Sequence, residues 1–216
     1  MILPFLSPAD VDAALPAVRK HLDAGGLLAY PTETVYGLGS APAEAPLDAL
    51  ARFKGRPARK PFLLLVTGRA MAEQWGLVFP PAAAAMAAEF WPGPLTLVLP
   101  GGEGRLPDRL RGPEGGIAVR HTSHPLVARL VAGLGYPLTS TSANRPGEPP
   151  APGAEAIAAL FAGPIAAGQL LVLDGGSLGN VPPSTIVDAT GSVSRLVREG
   201  AIPREELRRR VGSDAP

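Results

Sequence analysis

Short apolar runs recur along this chain, each closed by proline, glycine or a group of hydroxyl residues. They stand at 62–66 (F-L-L-L-V), 95–99 (L-T-L-V-L), 117–120 (I-A-V-R), 137–140 (P-L-T-S), 170–173 (L-L-V-L) and 185–188 (T-I-V-D), with a shorter L-L-A at 27–29. Runs of this length, bounded by turn residues, read as buried strands. Helical stretches lie between them: from Ser7-Pro8 to about residue 25, then 46–53, 70–74, 82–90, 125–131, 154–161 and 203–210. Ser7 with Pro8 is a helix start, whereas Pro16 threatens to bend or break the helix that follows. In the second helix Leu47, Leu50 and Phe53 share one face. A last strand is expected at 194–197, a mobile loop or rim at 101–116, and a glycine-rich turn at 174–179. Strands and helices alternate irregularly, which predicts an α/β (or α+β) protein with a twisted, mixed sheet flanked by helices. One domain over 1–216 is expected, with 203–216 as its terminal helix and tail.

Composition narrows the function classes. At 216 residues the chain can bury a full core, and 18% charged residues argue against disorder. A formal charge of +1 gives no global pull toward nucleic acid or membrane. The absence of cysteine excludes disulfides, thiol catalysis and thiolate metal sites. No apolar run is long enough to span a bilayer and the N-terminus carries no basic region, so the cytosol is the expected compartment.

Four stretches carry groups that could do chemistry. Residues 30–39 (Y-P-T-E-T-V-Y-G-L-G) follow a strand end, where Pro31 turns the chain out of the sheet. Their threonines and Glu33 could wall a small polar ligand, with Gly37 and Gly39 allowing close approach; an ordinary strand-to-helix turn is the alternative. Residues 52–60 hold Arg52, Lys54, Arg56, Arg59 and Lys60, five cations in nine residues with no acid among them. Such a cluster is either a solvated basic turn or a clamp on a polyphosphate. Residues 139–144 (T-S-T-S-A-N) offer neutral hydrogen-bond partners for phosphate, carboxylate or ribose, or a cap for the next helix. Residues 183–188 (P-S-T-I-V-D) lead into a strand with small hydroxyls, and Arg120 and Arg198 stand at strand ends. A P-loop, a dinucleotide fingerprint after a strand and a nucleophile elbow are all missing, and three histidines are too scattered for a zinc site.

Taken in order, Y-P-T-E-T-V-Y-G-L-G at 30–39, K-G-R-P at 54–57, F-W-P-G-P-L-T-L-V-L at 90–99 and A-V-R at 118–120 resemble the YrdC/TsaC family of threonylcarbamoyl-AMP synthases. S-T-S-A-N-R-P-G at 140–147, P-S-T-I-V-D at 183–188 and L-V-R-E-G-A-I at 196–202 complete the resemblance over nearly the whole chain. It implies a sheet folded around a large basic concavity. The activity it implies makes threonylcarbamoyl-adenylate and pyrophosphate from ATP, L-threonine and bicarbonate. The product would pass to a tRNA threonylcarbamoyl transferase for N6-threonylcarbamoylation of the adenosine beside the anticodon, with direct tRNA or RNA contact possible. Magnesium is implied as the companion of ATP.

The resemblance also assigns roles. The family's K-x-R falls on Lys54 and Arg56, implying contact with the ATP phosphates and the catalytic role. S-x-N falls on Ser142, on the threonine side, and Asn144, on the nucleotide side. Thr32, Arg120 and Ser184 match threonine-contacting positions, with Arg120 suited to the carboxylate, and Arg198 matches a nucleotide-contacting arginine. Three departures stand out. A histidine common at the end of the strand after K-x-R is missing from L-L-L-V, where Leu65 stands. Thr122 replaces proline in R-x-P-x-H-P. Gly116 stands where threonine is frequent, four residues before Arg120. Two other readings compete. In one, an RNA-binding module uses the same concavity, against the near-neutral charge and the 5% aromatic content. In the other, the chain is a carbamoyl-transfer domain like that of hydrogenase-maturation proteins, here without their zinc-finger and acylphosphatase segments.

Overall fold

The computed structural model describes residues 1–55, 61–179, 181–212 and 216. Strand β1 (Ile2–Pro4) leads to helix α1 (Pro8–Asp23). Ser7 caps α1 reciprocally: its Oγ accepts from the Asp10 N–H at 3.2 Å, and the Asp10 carboxylate accepts from the Ser7 N–H at 2.9 Å. The helix runs through Pro16 without ending.

Strand β2 (Leu27–Tyr30) is wholly buried and stops at Pro31. The expected loop over 30–39 is shorter than the sequence suggests, because Gly37–Gly39 forms strand β3, antiparallel to β2. Packing between strands requires Gly39, while Gly37 packs closely against the Tyr30 ring and also lines the cavity described below. A Cβ on Gly39 would lie 2.0 Å from the Thr139 carbonyl oxygen, and one on Gly37 3.1 Å from the Tyr30 ring. Helix α2 (Glu44–Lys54) ends at Gly55 in the left-handed conformation, φ 55°.

The remaining elements are β4 (Leu63–Val66), α3 (Arg69–Gln74), α4 (Pro81–Phe90), β5 (Leu95–Leu99), β6 (Ile117–His121) and α5 (Pro125–Leu134). Then come β7 (Leu138–Ser142), α6 (Ala154–Leu160), α7 (Ala162–Ala166), β8 (Leu170–Asp174), β9 (Thr185–Asp188), β10 (Arg195–Arg198) and α8 (Arg204–Val211). Of the two expectations for residues 101–116, a mobile loop or a rim, the structure takes the rim: residues 112–114 and 116 edge the cavity described below, and the segment is pinned. Leu106 and Leu110 are buried, and the Arg111 guanidinium donates to the carbonyls of Gly101 (2.8 Å) and Gly115 (3.0 Å).

The strands form one mixed sheet in the order β1-β8-β2-β3-β7-β4-β6-β5-β9-β10. Strand alternation sorts its side chains onto two faces. Leu27, Ala29, Leu64, Val66, Leu95, Leu97, Val119 and Val187 join a core that takes in α2, α3, α4, α6 and α8. Leu28, Tyr30, Leu65, Leu138 and Leu171 point the other way, into a second core under α1 and α5. These two helices cover only part of that face. Past them, on β5, β6 and β9, the residues alternating with the first core are Thr96, Val98, Ala118, Arg120, Ile186 and Asp188, and they line a cavity. Among the described residues, no helix is long and apolar enough to cross a membrane.

Candidate active site

The cavity is about 560 Å³, within the range of small-molecule sites. Its floor is the uncovered part of the sheet. Thr32, Thr34 and Val35 wall one side, Ser140, Thr141 and Ser142 another, and Gly112, Pro113 and Glu114 form a rim opposite Arg195, Val197 and Arg198. The described lining carries three arginines and two carboxylates, so its basic character is moderate. Of the residues expected from sequence, Thr32, Arg120, Ser142, Ser184 and Arg198 all line this space. Lys54 and Asn144 are bonded to Ser142 at its edge. Arg56, with Arg59 and Lys60, lies outside the described residues.

At the first corner, α2 delivers Lys54 to the end of β7. Its ammonium donates to the Ser142 carbonyl (2.8 Å), the Asn144 carbonyl (2.5 Å) and Asn144 Oδ1 (2.6 Å). The Ser142 hydroxyl donates to the same Oδ1 at 2.7 Å, and the Asn144 amide donates to the Glu148 carbonyl at 2.5 Å. Lys54 is only 7% exposed, which excludes the solvated-turn reading for this residue. Nor does T-S-T-S-A-N cap the next helix, since α6 begins at Ala154 behind Gly153.

The second corner holds Arg120, 4% exposed at the end of β6. Its Nε stands 3.5 Å from Glu33 Oε1 in the loop after β2. Neither atom has a hydrogen-bond partner among the described residues, although both are buried. Glu33 Oε2 accepts from the Thr122 hydroxyl. Burial holds the Arg120 guanidinium below the ordinary arginine value, and the Glu33 charge opposes that shift. Thr32 is almost fully buried, and its hydroxyl is engaged within its own loop. It donates to the Val35 carbonyl at 2.7 Å and accepts from the Thr34 and Val35 N–H groups, both at 3.2 Å.

Across the floor, Ser184 Oγ and Thr96 Oγ1 are 2.9 Å apart. Arg198 Nε and one terminal nitrogen donate to the Ser184 carbonyl at 3.2 and 2.7 Å. Burial first, and the Arg120 charge second, press the Arg198 guanidinium below its ordinary value. Thr96, Asp188, Arg195 and Glu114 were not singled out from sequence. Asp188 accepts from the Thr190 N–H (2.9 Å) and hydroxyl (2.7 Å), and Arg195 pairs with Asp188 (3.2 Å) and Glu114 (3.6 Å) across the rim. Strand alternation from Ser184 through Ile186 was the available signal for Asp188.

The departures find physical reasons. Leu65 is fully buried in the core under α1 and α5, opposite Arg120 in register, and offers no polar group there. A Cβ on Gly116 would sit 2.3 Å from the Thr190 methyl and 2.6 Å from Val98, so those side chains already fill the space of a larger residue. Among the described residues, no group of three or more His, Asp or Glu side chains comes together to hold a metal ion.

Comparison with known proteins agrees with this architecture. A family model covering Sua5, YciO and YrdC proteins, described as "Telomere recombination", matches residues 20–200. The threonylcarbamoyl-AMP synthase of Chromohalobacter salexigens is 42% identical over 177 residues, 81% of this chain and 90% of the relative. The solved structure of Pyrococcus abyssi Sua5 complexed with L-threonine superposes with a TM-score of 0.86 at 30% identity, over 100% of this chain and 62% of the other. The chain thus spans less than two thirds of that protein's length. Full-length HypF in its phosphate- and nucleotide-bound form gives a TM-score of 0.71 at 16% identity, a likeness that shows the fold alone.

Proposed function

The chain belongs to the Sua5/YciO/YrdC family, and we propose that it is a threonylcarbamoyl-AMP synthase acting in N6-threonylcarbamoylation of tRNA. On this reading it is an adenylyl-transferring enzyme that uses ATP, L-threonine and bicarbonate. The observation that carries it is the juxtaposition at one cavity of a buried arginine whose guanidinium is hydrogen-bonded to no described residue and a lysine–serine–asparagine corner. The relatives bearing that enzyme's name, and the L-threonine in the Pyrococcus abyssi structure, support it.

The reaction condenses the amino group of threonine with bicarbonate to a carbamate and water. A carbamate oxygen then attacks the α-phosphorus of ATP and pyrophosphate departs. No covalent enzyme nucleophile is needed; the protein positions two anions and stabilises charge on the leaving group. Arg120 takes the threonine carboxylate, a planar group that suits a guanidinium. Ser142 and Ser184 offer hydroxyls to the same substrate, and Thr32 contributes the wall that shapes its end of the cavity. Lys54, Asn144 and Arg198 form the nucleotide side, and the K-x-R motif assigns Arg56 the same role. Lys54 reaches a phosphate oxygen by exchanging one of its protein acceptors. Magnesium would come with ATP, on its phosphates. Its chemistry there is to neutralise phosphate charge.

The product then passes to a tRNA transferase. A pure RNA-binding role has less support, since the described cavity lining has no aromatic side chain on which a base could stack. The test is mass spectrometry of the reaction mixture. Threonylcarbamoyl-adenylate should form only when ATP, L-threonine and bicarbonate are all present. Adenylate that forms equally with other amino acids would remove threonine as the substrate.

A further inference from the structure

Behind the arginine at the cavity lies a second layer that the reaction scheme does not use. Thr122 has no exposed surface, and its Oγ1 accepts from the His124 N–H at 3.2 Å. The hydroxyl proton is thereby left to give, and Glu33 Oε2 receives it. With Oε2 bonded, the covalent geometry of the carboxylate places Oε1 beside Arg120 Nε, 3.5 Å away. These contacts join the loop after β2 to the segment between β6 and α5, residues 89 positions apart in sequence.

Oε1 and Nε are both buried and neither makes a hydrogen bond to a described residue. Orphaned buried polar atoms are costly, and in native proteins they call for a reason such as function. The guanidinium's other nitrogens make no hydrogen bond to a described residue, and Arg120 lines the cavity. A carboxylate ligand bound by two parallel N–H groups needs that guanidinium plane held still. We propose that Thr122, acting through Glu33, is a positioning residue for Arg120: the hydroxyl fixes the carboxylate, and the carboxylate fixes the Nε edge of the guanidinium. The terminal nitrogens are then free for the substrate. A Thr122 that merely filled core volume would leave Arg120 indifferent to loss of the hydroxyl.

The proposal rests on the amino-acid reading of the Arg120 end, so the experiment has one readout that needs no activity. In ligand-free protein, solvent exchange of the Arg120 Nε–H is followed by nitrogen-15 NMR, the resonance being assigned by its loss in Arg120→Lys. Exchange should be at least about tenfold faster in Thr122→Val and Glu33→Gln than in the parent, with Thr122→Ser restoring the parent rate. In turnover, Thr122→Val should raise KM for L-threonine roughly fivefold to tenfold, with KM for ATP within about twofold. An unchanged exchange rate in folded Thr122→Val overturns the positioning role. Faster exchange with an unchanged threonine KM overturns its link to the substrate. If the parent shows no threonine-dependent turnover, the synthase reading falls, and the exchange rate still decides whether Thr122 holds Arg120. Should Thr122→Val not fold, Glu33→Gln carries the same two measurements.

Discussion

Lys54 and Arg120 are both cations less than a tenth exposed, yet the protein treats them in opposite ways. The Lys54 ammonium has three acceptors within 2.8 Å, all on residues 142–144. Arg120 has a carboxylate at 3.5 Å and no hydrogen bond to a described residue. A cation whose donors already reach protein acceptors holds the shape of its corner until a ligand displaces one of them. The one whose donors are kept back is, in the proposed reaction, the one that takes the substrate carboxylate. The difference follows from the elements: Lys54 comes from a helix end and meets the carbonyls where β7 stops, while Arg120 rises from the floor of the sheet, where its neighbours are side chains.

The comparison can be broken at either corner. Lys54→Ala leaves the Ser142 and Asn144 carbonyls without this donor, so it should lower thermal stability as well as cut kcat by about a hundredfold. Calorimetry and pyrophosphate release measure the two effects, and a kcat loss with unchanged Tm would show that Lys54 holds no shape. Arg120→Ala should raise KM for threonine by about thirtyfold while moving KM for ATP less than about threefold. An equal rise for both would remove the carboxylate assignment. Ser142→Ala takes away one of the donors to Asn144 Oδ1 and should cost less than about tenfold in kcat/KM, the scale of a single hydrogen bond.

The smallest effect concerns pH. Burial lowers the proton affinity of His121 and His124, against the charge of Glu33. His124 caps α5 through Nδ1, which accepts from the Val127 N–H at 3.4 Å. Both folded values lie below the unfolded value of 6.5, so the unfolded chain binds more protons just beneath that pH and stability rises with pH there. Tm should therefore fall as pH drops from 7.5 toward 5.5, by roughly 2–4 °C if about 1 kcal/mol is lost. His124→Asn, which keeps a capping side chain without the titration, should reduce the fall.

Most of the sheet was legible because each apolar run ended at a turn residue. Strand β3 was not: G-L-G has little strand propensity, and its pairing depends on close approach of β7, which lies about a hundred residues on. Helix α7, A-G-P-I-A, hid for the same kind of reason, with glycine and proline inside five residues. At the site, motifs showed which residue types were present but not which donors were already used. Sequence left Lys54 between a basic turn and a phosphate clamp and could not show its protein acceptors, which are 88–90 positions away. Glu33 looked like a lone ionisable group because Thr122 and Arg120 reach it only through the fold. Residues 101–116 read as a mobile loop or a rim from their glycine and proline content; burial of Leu106 and Leu110 and the Arg111 contacts, invisible in sequence, make them the rim.

In the proposed reaction one cavity joins ATP to an amino acid carbamate. Pyrophosphate release tests it most directly, measured in magnesium and bicarbonate buffer with and without L-threonine, and again after bicarbonate is removed. Release should need both threonine and bicarbonate. Release that is indifferent to threonine, or none at all from protein that binds ATP, would contradict it.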